Sequence, residues 1–286
     1  MRLITMKKIT LFIAISIIMT CMVPRIYAQQ NKVARAGWLL GAQSYTFNKF
    51  TFVETLNKMQ QLGLKYVEVY FGQKLGEGFE GNMDFNMNPE TRTKILELAK
   101  SKGITIMACG VVICNNEAEW RRLFDFAKTM GIKVITSEPA ANDLDLVEKL
   151  ADQYNIDVAF HNHPQPSPYW NPDLLLTALK GRSQHMGSCA DVGHWKRMGI
   201  DPVEALKKLE GRIRILHFKD IAEGGAKAHD VIWGEGVCNV EGMLKELKRQ
   251  HFKGMFSIEY EYHEENPVPD MAQCITNFQK ITNKLF

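Results

Sequence analysis

The chain has 286 residues, of which 45% are hydrophobic, and its 35 basic and 32 acidic side chains give a formal net charge of +3. This length and composition exclude a disordered, fibrous or small disulfide-rich protein and allow one large domain with a sizeable core. The first 28 residues hold Arg2, Lys7, Lys8 and Arg25 and no acid, so the rest of the chain has 31 basic and 32 acidic groups. This balance does not indicate nucleic acid or an anionic membrane as a partner.

The N-terminus is typical of an export signal. Basic residues precede an apolar stretch at residues 9–23, and Ala28 is the small residue expected at a cleavage site. We therefore expect a signal peptide at residues 1–28 and a mature protein that is exported, to the periplasm if the source is Gram-negative. Two alternatives remain open: an uncleaved anchor, for which the stretch is short, and lipid attachment at Cys21, whose preceding residues match poorly.

From Trp38 onward, short β-rich runs alternate with segments of helical periodicity. Strands are predicted at residues 38–47, 66–71, 104–111, 133–138, 157–163, 186–191, 214–219 and 255–261. Helical segments separate them, and Asp201 followed by Pro202 is typical of a helix start. Eight such units predict a parallel sheet closed into an α/β barrel, a (β/α)8 or TIM barrel, that occupies residues 29–286 as one domain.

Two segments, residues 72–88 and 221–239, are long for connections and follow the second and seventh predicted strands. Both fall at the carboxyl ends of the strands, where barrel active sites are built. We expect them to be lids or substrate walls.

Several common site motifs are missing from the sequence. Five cysteines follow Ala28, an odd number without a CxxC pair, and this pattern does not favour a disulfide framework. Cys109 and Cys189 lie in apolar runs and are interpreted as small core residues. The sequence has no phosphate-binding loop, no dinucleotide fingerprint, no HExxH and no GxSxG elbow.

Metal-ligand side chains end four consecutive predicted strands. They are His161, Asp191, His217 and Glu259. The inward face of each strand end points into the mouth of a parallel barrel, so these side chains are expected to converge on one ion. Imidazole and carboxylate donors suit Mn²⁺, Zn²⁺ or Fe²⁺. Any one of these residues alone would be read as a hydrogen-bonded core residue or an exposed strand tip.

Other polar residues belong to the same rim. Glu138 is a candidate fifth ligand or acid–base group, and Lys219 is a candidate for polarising a carbonyl or stabilising an enolate. Glu68 is expected to orient a neighbouring group or to contact substrate, with a salt bridge across the barrel as the alternative. His163 and His194 are expected to hold substrate hydroxyls.

Aromatic side chains near the same strand ends are candidates for apolar walls against a sugar face. They are Tyr45, Phe47, Trp170 and Trp195. Ordinary barrel packing is the alternative for each one.

Three motifs resemble the xylose-isomerase-like barrel superfamily, also called the sugar phosphate isomerase/epimerase family. Residues 189–195 (Cys-Ala-Asp-Val-Gly-His-Trp) are similar to its strand-6 D-x-x-H motif, which supplies a ligand and a substrate contact. Residues 216–220 (Leu-His-Phe-Lys-Asp) are similar to its strand-7 histidine motif, and Glu259 to the strand-8 glutamate that binds metal and moves protons. The resemblance covers essentially the whole chain after Ala28.

One position departs from the family pattern. Epimerases of the family carry a second glutamate at the end of strand 5, where this chain has His161. The resemblance as a whole implies a metal-dependent isomerase or epimerase acting through an enediolate on a sugar or keto-sugar. A lyase or hydratase is the alternative, and a histidine at this position fits the lyase- or dehydratase-like members of the family. Mn²⁺ is the expected ion, with Zn²⁺, Fe²⁺ or Mg²⁺ as alternatives. An exported enzyme is expected to act on a small non-phosphorylated carbohydrate.

Two further classes of protein are alternatives to this hypothesis. A non-catalytic carbohydrate-binding barrel would keep the aromatic walls and tolerate loss of the ligands. Endonuclease activity, known in distant members of the superfamily, is disfavoured by the neutral charge and the export signal.

Overall fold

The computed structural model describes residues 32–286, so the predicted signal peptide lies outside the described residues. Eight parallel strands form a closed barrel with helices between successive strands, which confirms the predicted (β/α)8 fold. None of the helices in this part of the chain is long and apolar enough to cross a membrane.

The barrel strands are β1 (Trp38–Gln43), β2 (Tyr66–Val69), β3 (Thr105–Val112), β4 (Val134–Ser137), β5 (Asp157–His161), β6 (Met186–Asp191), β7 (Ile213–Phe218) and β8 (Gly254–Ile258). The α-helices are α1 (Phe52–Gln61), α2 (Pro89–Ser101), α3 (Glu117–Met130), α4 (Leu144–Tyr154), α5 (Pro172–Leu179), α6 (Val192–Arg197), α7 (Pro202–Lys208), α8 (Val240–Arg249) and α9 (Val268–Leu285). Short 3₁₀ turns lie at Ser44–Phe47 and Ala141–Asp143, and an antiparallel ribbon joins Asp220–Ile221 to Asp230–Val231.

The barrel closes through β1, which pairs with both β8 and β2. Its contact with β8 runs in register from Trp38 opposite Gly254 to Ala42 opposite Ile258. Apart from the pairing of β1 with β8, neighbouring strands follow one another along the chain. All eight carboxyl ends therefore open onto one rim.

Most predicted strands extend past the observed carboxyl ends. The first was predicted to reach residue 47, but β1 ends at Gln43, whose side chain accepts a hydrogen bond from the backbone N–H of Tyr45 and starts a 3₁₀ turn. The fifth was predicted to reach residue 163, but β5 ends at His161. Beyond these carboxyl ends the backbone no longer makes the hydrogen bonds of the sheet, and the side chains contact one another at the rim.

The interior of the barrel changes from apolar to polar within two residues along β4 to β8. Six buried residues from six strands pack together in its lower layer: Ala108, Val134, Ala159, Cys189, Ile215 and Met255. Two positions further along, β4 to β8 carry the polar residues Thr136, His161, Asp191, His217 and Ser257, whereas β3 carries Gly110. Because alternate residues share a face of a strand, these polar side chains form the next inward layer. The larger apolar core lies outside the strands, against the helices.

Side chains cap seven of the nine α-helices named above, and the sequence predicted one of these caps, Asp201. Thr51 and Glu54 form a reciprocal capping box at α1, and Asp201 caps α7 ahead of its first-turn proline, as predicted. The short helix α6 was not predicted. It begins at once after β6 because Asp191 accepts a hydrogen bond from the backbone N–H of His194.

Candidate metal centre

Four of the predicted ligands meet at the rim of the barrel. One donor atom from each of His161, Asp191, His217 and Glu259 lies within 4.8 Å of the others, and all four residues are buried. They come from the ends of β5, β6 and β7 and from the residue after β8. Two imidazoles and two carboxylates thus face one point at the barrel mouth.

The two carboxylate oxygens of Asp191 make different contacts. Its Oδ1 caps α6 through the backbone N–H of His194 at 2.7 Å. The side chain of Asn162 fixes the backbone of Asp191, since it donates to the Asp191 carbonyl at 2.9 Å and accepts from the Asp191 N–H at 2.8 Å. These bonds hold the residue in place, and Oδ2 faces the cluster, 3.6 Å from His161 Nε2 and 3.2 Å from Lys219 Nζ.

His217 is oriented by Glu68 from the opposite side of the barrel. Glu68 Oε2 lies 2.9 Å from His217 Nε2 and accepts a hydrogen bond from the Ser257 hydroxyl at 2.9 Å, while Oε1 accepts one from Thr136 at 2.7 Å. Glu68 is fully buried beneath the cluster. We therefore assign Glu68 to orienting His217 rather than to contacting substrate, and His217 is left with Nδ1 toward the mouth.

His161 is held in a similar way by Glu138. Glu138 Oε1 lies 3.2 Å from His161 Nδ1, and it also contacts the Nδ1 and the backbone N–H of His163 at 2.7 Å and 3.1 Å. Burial alone would raise the pKa of Glu138, but the hydrogen bonds from the two histidines outweigh it and lower the pKa below its usual range. His161 is fully buried, whereas the His163 side chain is 51% exposed and faces the mouth.

Polar atoms that make no hydrogen bond support a cation at the centre of the cluster. In residues 32–286, six buried side-chain nitrogen or oxygen atoms make no hydrogen bond, and three of them are Asp191 Oδ2, His217 Nδ1 and Glu259 Oε2. These three do have charged neighbours: His217 Nδ1 lies 2.9 Å from Glu259 Oε2, and Lys219 Nζ lies beside both oxygens. Burying such atoms without hydrogen bonds is costly. A divalent ion would be coordinated by all three together with His161, and the donor set fits Mn²⁺, Zn²⁺ or Fe²⁺.

Lys219 lies fully buried beside the same cluster. Its Nζ is 3.2 Å from Asp191 Oδ2, 3.0 Å from Glu259 Oε2 and 2.5 Å from Glu261 Oε1. Burial would raise the pKa of Glu259, but the charges of His217 and Lys219 outweigh it and keep the pKa well below its usual range. The pKa of Asp191 is likewise lowered, because nearby positive charge outweighs its burial. Both candidate ligand carboxylates are therefore ionised, as coordination requires.

His194 presents a neutral ring to the same space. Its Nε2 lies 3.5 Å from Asp191 Oδ2, and its Nδ1 lies 3.4 Å from the Arg197 guanidinium. Burial lowers the pKa of His194 well below its usual value, and the charge of Lys219 acts in the same direction. A neutral imidazole at this place can exchange hydrogen bonds with a bound hydroxyl.

The predicted aromatic walls divide into buried and exposed residues. Phe47 and Trp195 are fully buried in the core, so we assign both to packing rather than to a substrate wall; α6 turns the Trp195 ring inward. Tyr45 is 40% exposed and meets Tyr70 edge to face, with ring centroids 5.1 Å apart. Trp170 is partly buried.

The sequence did not identify Tyr262 as a wall. It is as exposed as Tyr45 and packs against His229 with a centroid separation of 4.3 Å. The exposed tyrosines Tyr45 and Tyr262 thus follow β1 and β8, which are neighbours in the barrel.

The long segment after β7 is fixed to the barrel through two aspartates. The carboxylate of Asp220 accepts backbone hydrogen bonds from Gly234, Gly236 and Cys238 at 2.8–3.0 Å. Arg197 binds the carboxylate of Asp230. These contacts favour a fixed wall over a lid.

The segment after β2 is fixed as well. The side chain of Gln73 donates to the carbonyl of Phe50 at 3.1 Å and to the Thr55 hydroxyl at 2.9 Å. Leu75 and Met83 are fully buried. A fixed wall is again favoured over a lid.

Sequence reasoning missed several residues that hold the site. Ser257 and Thr136 bind Glu68, Glu261 binds Lys219, and Arg197 braces the loop beside His194. The inward parity of Thr136 and Ser257 could have identified these two, since each lies two residues beyond a barrel-core position. Glu261 has the same parity, two residues beyond Glu259, whereas sequence spacing carries no such signal for Arg197.

Comparisons with known proteins agree with this architecture. The family described as xylose isomerase-like TIM barrel matches residues 56–279. Inosose isomerase of Bacillus subtilis is 23% identical over 163 residues, 49% of this chain and 58% of that protein, so the match spans little more than half of that relative. Inosose isomerase of Halalkalibacterium halodurans is 22% identical over 250 residues, which cover 76% of this chain and 85% of that protein.

Two solved structures extend the comparison. An uncharacterised protein of Parabacteroides distasonis is 40% identical, with a TM-score of 0.72 over 85% of this chain and 99% of that chain. The structure of the IOLI protein with a bound zinc atom has a TM-score of 0.67 at 18% identity, over 87% of this chain and 99% of that chain. At this low identity the second likeness shows the fold alone.

Proposed function

The chain belongs to the xylose isomerase-like TIM barrel family, and on this premise we propose that it is a divalent-metal-dependent enzyme that isomerises or epimerises a non-phosphorylated sugar or keto-sugar. The observation that carries the proposal is the convergence of His161, Asp191, His217 and Glu259, three of which present buried donor atoms without hydrogen-bond partners. The names of the inosose isomerase relatives support a cyclic polyol or sugar as the substrate class.

His161, Asp191, His217 and Glu259 would hold the ion. A divalent ion supplies Lewis-acid polarisation of a carbonyl and stabilises the oxyanion that develops when the neighbouring carbon loses its proton. Mn²⁺ remains the expected ion. Zn²⁺ is an alternative with the same donor preferences, and the zinc atom in the IOLI structure supports it.

Glu259 is our proposed general base. It is 8% exposed, at the edge of the cluster, and its carboxylate is ionised for the reason given above. Glu138, the other candidate, already accepts three N–H contacts from His161 and His163 through a single oxygen. We therefore propose that Glu138 orients the histidines while Glu259 moves the proton.

The remaining polar side chains would bind substrate oxygens. His163 and His194 present imidazoles to the mouth, and Lys219 presents a positive charge close to where an oxyanion would form. Tyr45 and Tyr262 offer flat apolar surfaces against which a sugar ring can stack.

A lyase or hydratase reaction is the second candidate, and His161 is the observation that favours it. A symmetric proton transfer between two carboxylates needs a second carboxylate opposite Glu259, but strand β5 ends in this histidine and Oε1 of Glu138 is bound to His161 and His163. One base and a neighbouring imidazole acid, such as His163, suffice to remove a proton and assist a leaving group.

The test is a panel of free sugars and 3-keto-glycosides incubated with Mn²⁺-loaded protein in D₂O and followed by NMR. Deuterium incorporation at one carbon supports the isomerase or epimerase, and release of an aglycone supports the lyase. Either reaction should be lost after chelation and restored by the ion. A sugar affinity that survives chelation, without turnover of any substrate, would instead support a non-catalytic carbohydrate-binding barrel.

We further propose that the enzyme acts after export, with residues 1–28 removed. The support is the basic and apolar pattern of that segment together with Ala28. N-terminal sequencing of the protein isolated from its native host should begin at Gln29. A start at Met1 would contradict cleavage.

A further inference from the structure

Lys219 is a buried cation surrounded by three carboxylates. Its ammonium lies within 3.2 Å of oxygens from Asp191, Glu259 and Glu261, and the side chain is wholly inaccessible. Two of these oxygens, Asp191 Oδ2 and Glu259 Oε2, belong to candidate ligands of the metal centre and accept no hydrogen bond, although the ammonium lies beside them. An ammonium and a divalent ion therefore have ligand atoms in common.

Two cations that share two oxygens repel each other strongly in a buried site. Unit charges a few ångströms apart interact several times more strongly in a protein interior than in water. Occupation by the ion would therefore weaken the contacts of Lys219 with Asp191 and Glu259.

Glu261 is the carboxylate that Lys219 can continue to contact when an ion binds Asp191 and Glu259. It makes the shortest of the three contacts, its side chain is 35% exposed, and its backbone N–H is fixed by Asp230 Oδ2 at 2.8 Å. The stem of Lys219 has little room, because a Cβ placed on Gly193 would lie only 3.0 Å from the Lys219 Cβ. Any movement of Lys219 would therefore fall on its ammonium end, which Glu261 contacts.

We propose that Lys219 is an internal counter-cation of the metal centre: it competes with the divalent ion for Asp191 and Glu259, and Glu261 retains it when the ion binds. The residue then neutralises the carboxylates in the metal-free protein and limits the affinity for the ion. The inference rests on the proposed function through the metal centre alone and does not depend on the substrate.

The test is a Zn²⁺ titration of the chelated full-length protein in competition with a chromophoric chelator, at fixed pH and ionic strength. K219M should bind Zn²⁺ at least tenfold more tightly than the wild type. E261Q should bind it at least threefold more weakly, because Lys219 loses its alternative partner. K128M, which removes an exposed lysine from α3, is the control with the same charge change and should leave the affinity unaltered.

The opposite signs expected for K219M and E261Q separate competition from a purely structural role, which would weaken binding in both variants. Zn²⁺ affinity in K219M that equals or falls below that of the wild type overturns the inference, and E261Q provides an independent reading if K219M folds poorly. D191N in the same assay separates failure of the proposed competition from failure of the proposed metal centre. Loss of Zn²⁺ in D191N without tightening in K219M refutes the competition alone, whereas unchanged affinity in D191N refutes the metal centre as well.

Discussion

The two halves of the barrel contribute different chemistry to one site. Strands β5 to β8 and their ends supply the four candidate ligands. Strands β1 to β4 supply none of these four, but Glu68 on β2 and Thr136 on β4 form a buried hydrogen-bonded chain that ends on His217. The second half thus provides the donors for an ion, and the first half orients one of them, His217.

This division shows how a barrel separates binding from positioning. Glu68 and His217 are 149 residues apart in sequence and face each other across the barrel at 2.9 Å. Such an outer carboxylate selects the protonated nitrogen of a ligand histidine and raises the basicity of the other nitrogen. The comparison predicts large losses of metal affinity in the second half and smaller losses in the first.

The largest effect is expected at Asp191. D191A should lower Zn²⁺ affinity by more than about 100-fold, above the range for outer-shell residues, and should also cost about 1 kcal/mol for the lost cap of α6. D191N retains a capping oxygen and should lose the affinity without that cost. Competition titration and urea unfolding separate the two effects, and equal stability losses in both variants would contradict the two-oxygen assignment.

A smaller loss is expected at Glu68. E68Q removes the charge behind His217 and should weaken Zn²⁺ binding about 10- to 100-fold. It should also destabilise the protein by about 1–3 kcal/mol, since a buried hydrogen-bonded network loses an acceptor. E90Q, at an exposed position of α2, is the control and should change neither quantity. Wild-type Zn²⁺ affinity in E68Q would break the proposed link between the halves.

Glu138 tests the same idea at the boundary between the halves. E138Q keeps an acceptor near His161 and His163 but removes the charge, so Zn²⁺ affinity should fall about tenfold, at the low end for outer-shell partners. If Glu138 is instead the general base, E138Q will abolish turnover while Zn²⁺ affinity stays unchanged. Titration and turnover measured on one preparation distinguish these outcomes.

The smallest effect on metal binding is expected at Gly41 in β1. A Cβ there would lie 2.3 Å from the Tyr66 carbonyl oxygen and 2.4 Å from the Met255 methyl carbon. G41A should therefore destabilise the fold by about 1–3 kcal/mol and leave Zn²⁺ affinity within a factor of two. G224A, where no atom lies within 4 Å, is the control. A large affinity loss in G41A would show that this half does more than support the site.

The sequence predicted the barrel and the set of four converging residues because both depend on periodicity. Alternation along a parallel strand determines which side chains face inward, and closure brings the carboxyl ends together. β6 was predicted with the bounds that the structure has, Met186–Asp191.

The partners within the site were not predictable, since each depends on a distance across the barrel. Nothing in the spacing of Glu68 shows that it faces His217 rather than a substrate. The helix α6 depends on how Asp191 divides its two oxygens, and the burial of Trp195 follows from that helix. The residues that these contacts join are not separated by the regular spacing of a strand or a helix, so their pairing cannot be predicted from the sequence.

The most direct test of the account is X-ray absorption spectroscopy of the Zn²⁺-loaded protein. His161, Asp191, His217 and Glu259 predict two imidazole nitrogens at about 2.0–2.1 Å and two carboxylate oxygens at about 2.0–2.2 Å. The described residues offer two competing groups, His161 with Cys189 and His217, and His161 with His163 and His194. A sulfur ligand at about 2.3 Å, or a third imidazole, would contradict the four-residue centre on which the proposed function depends.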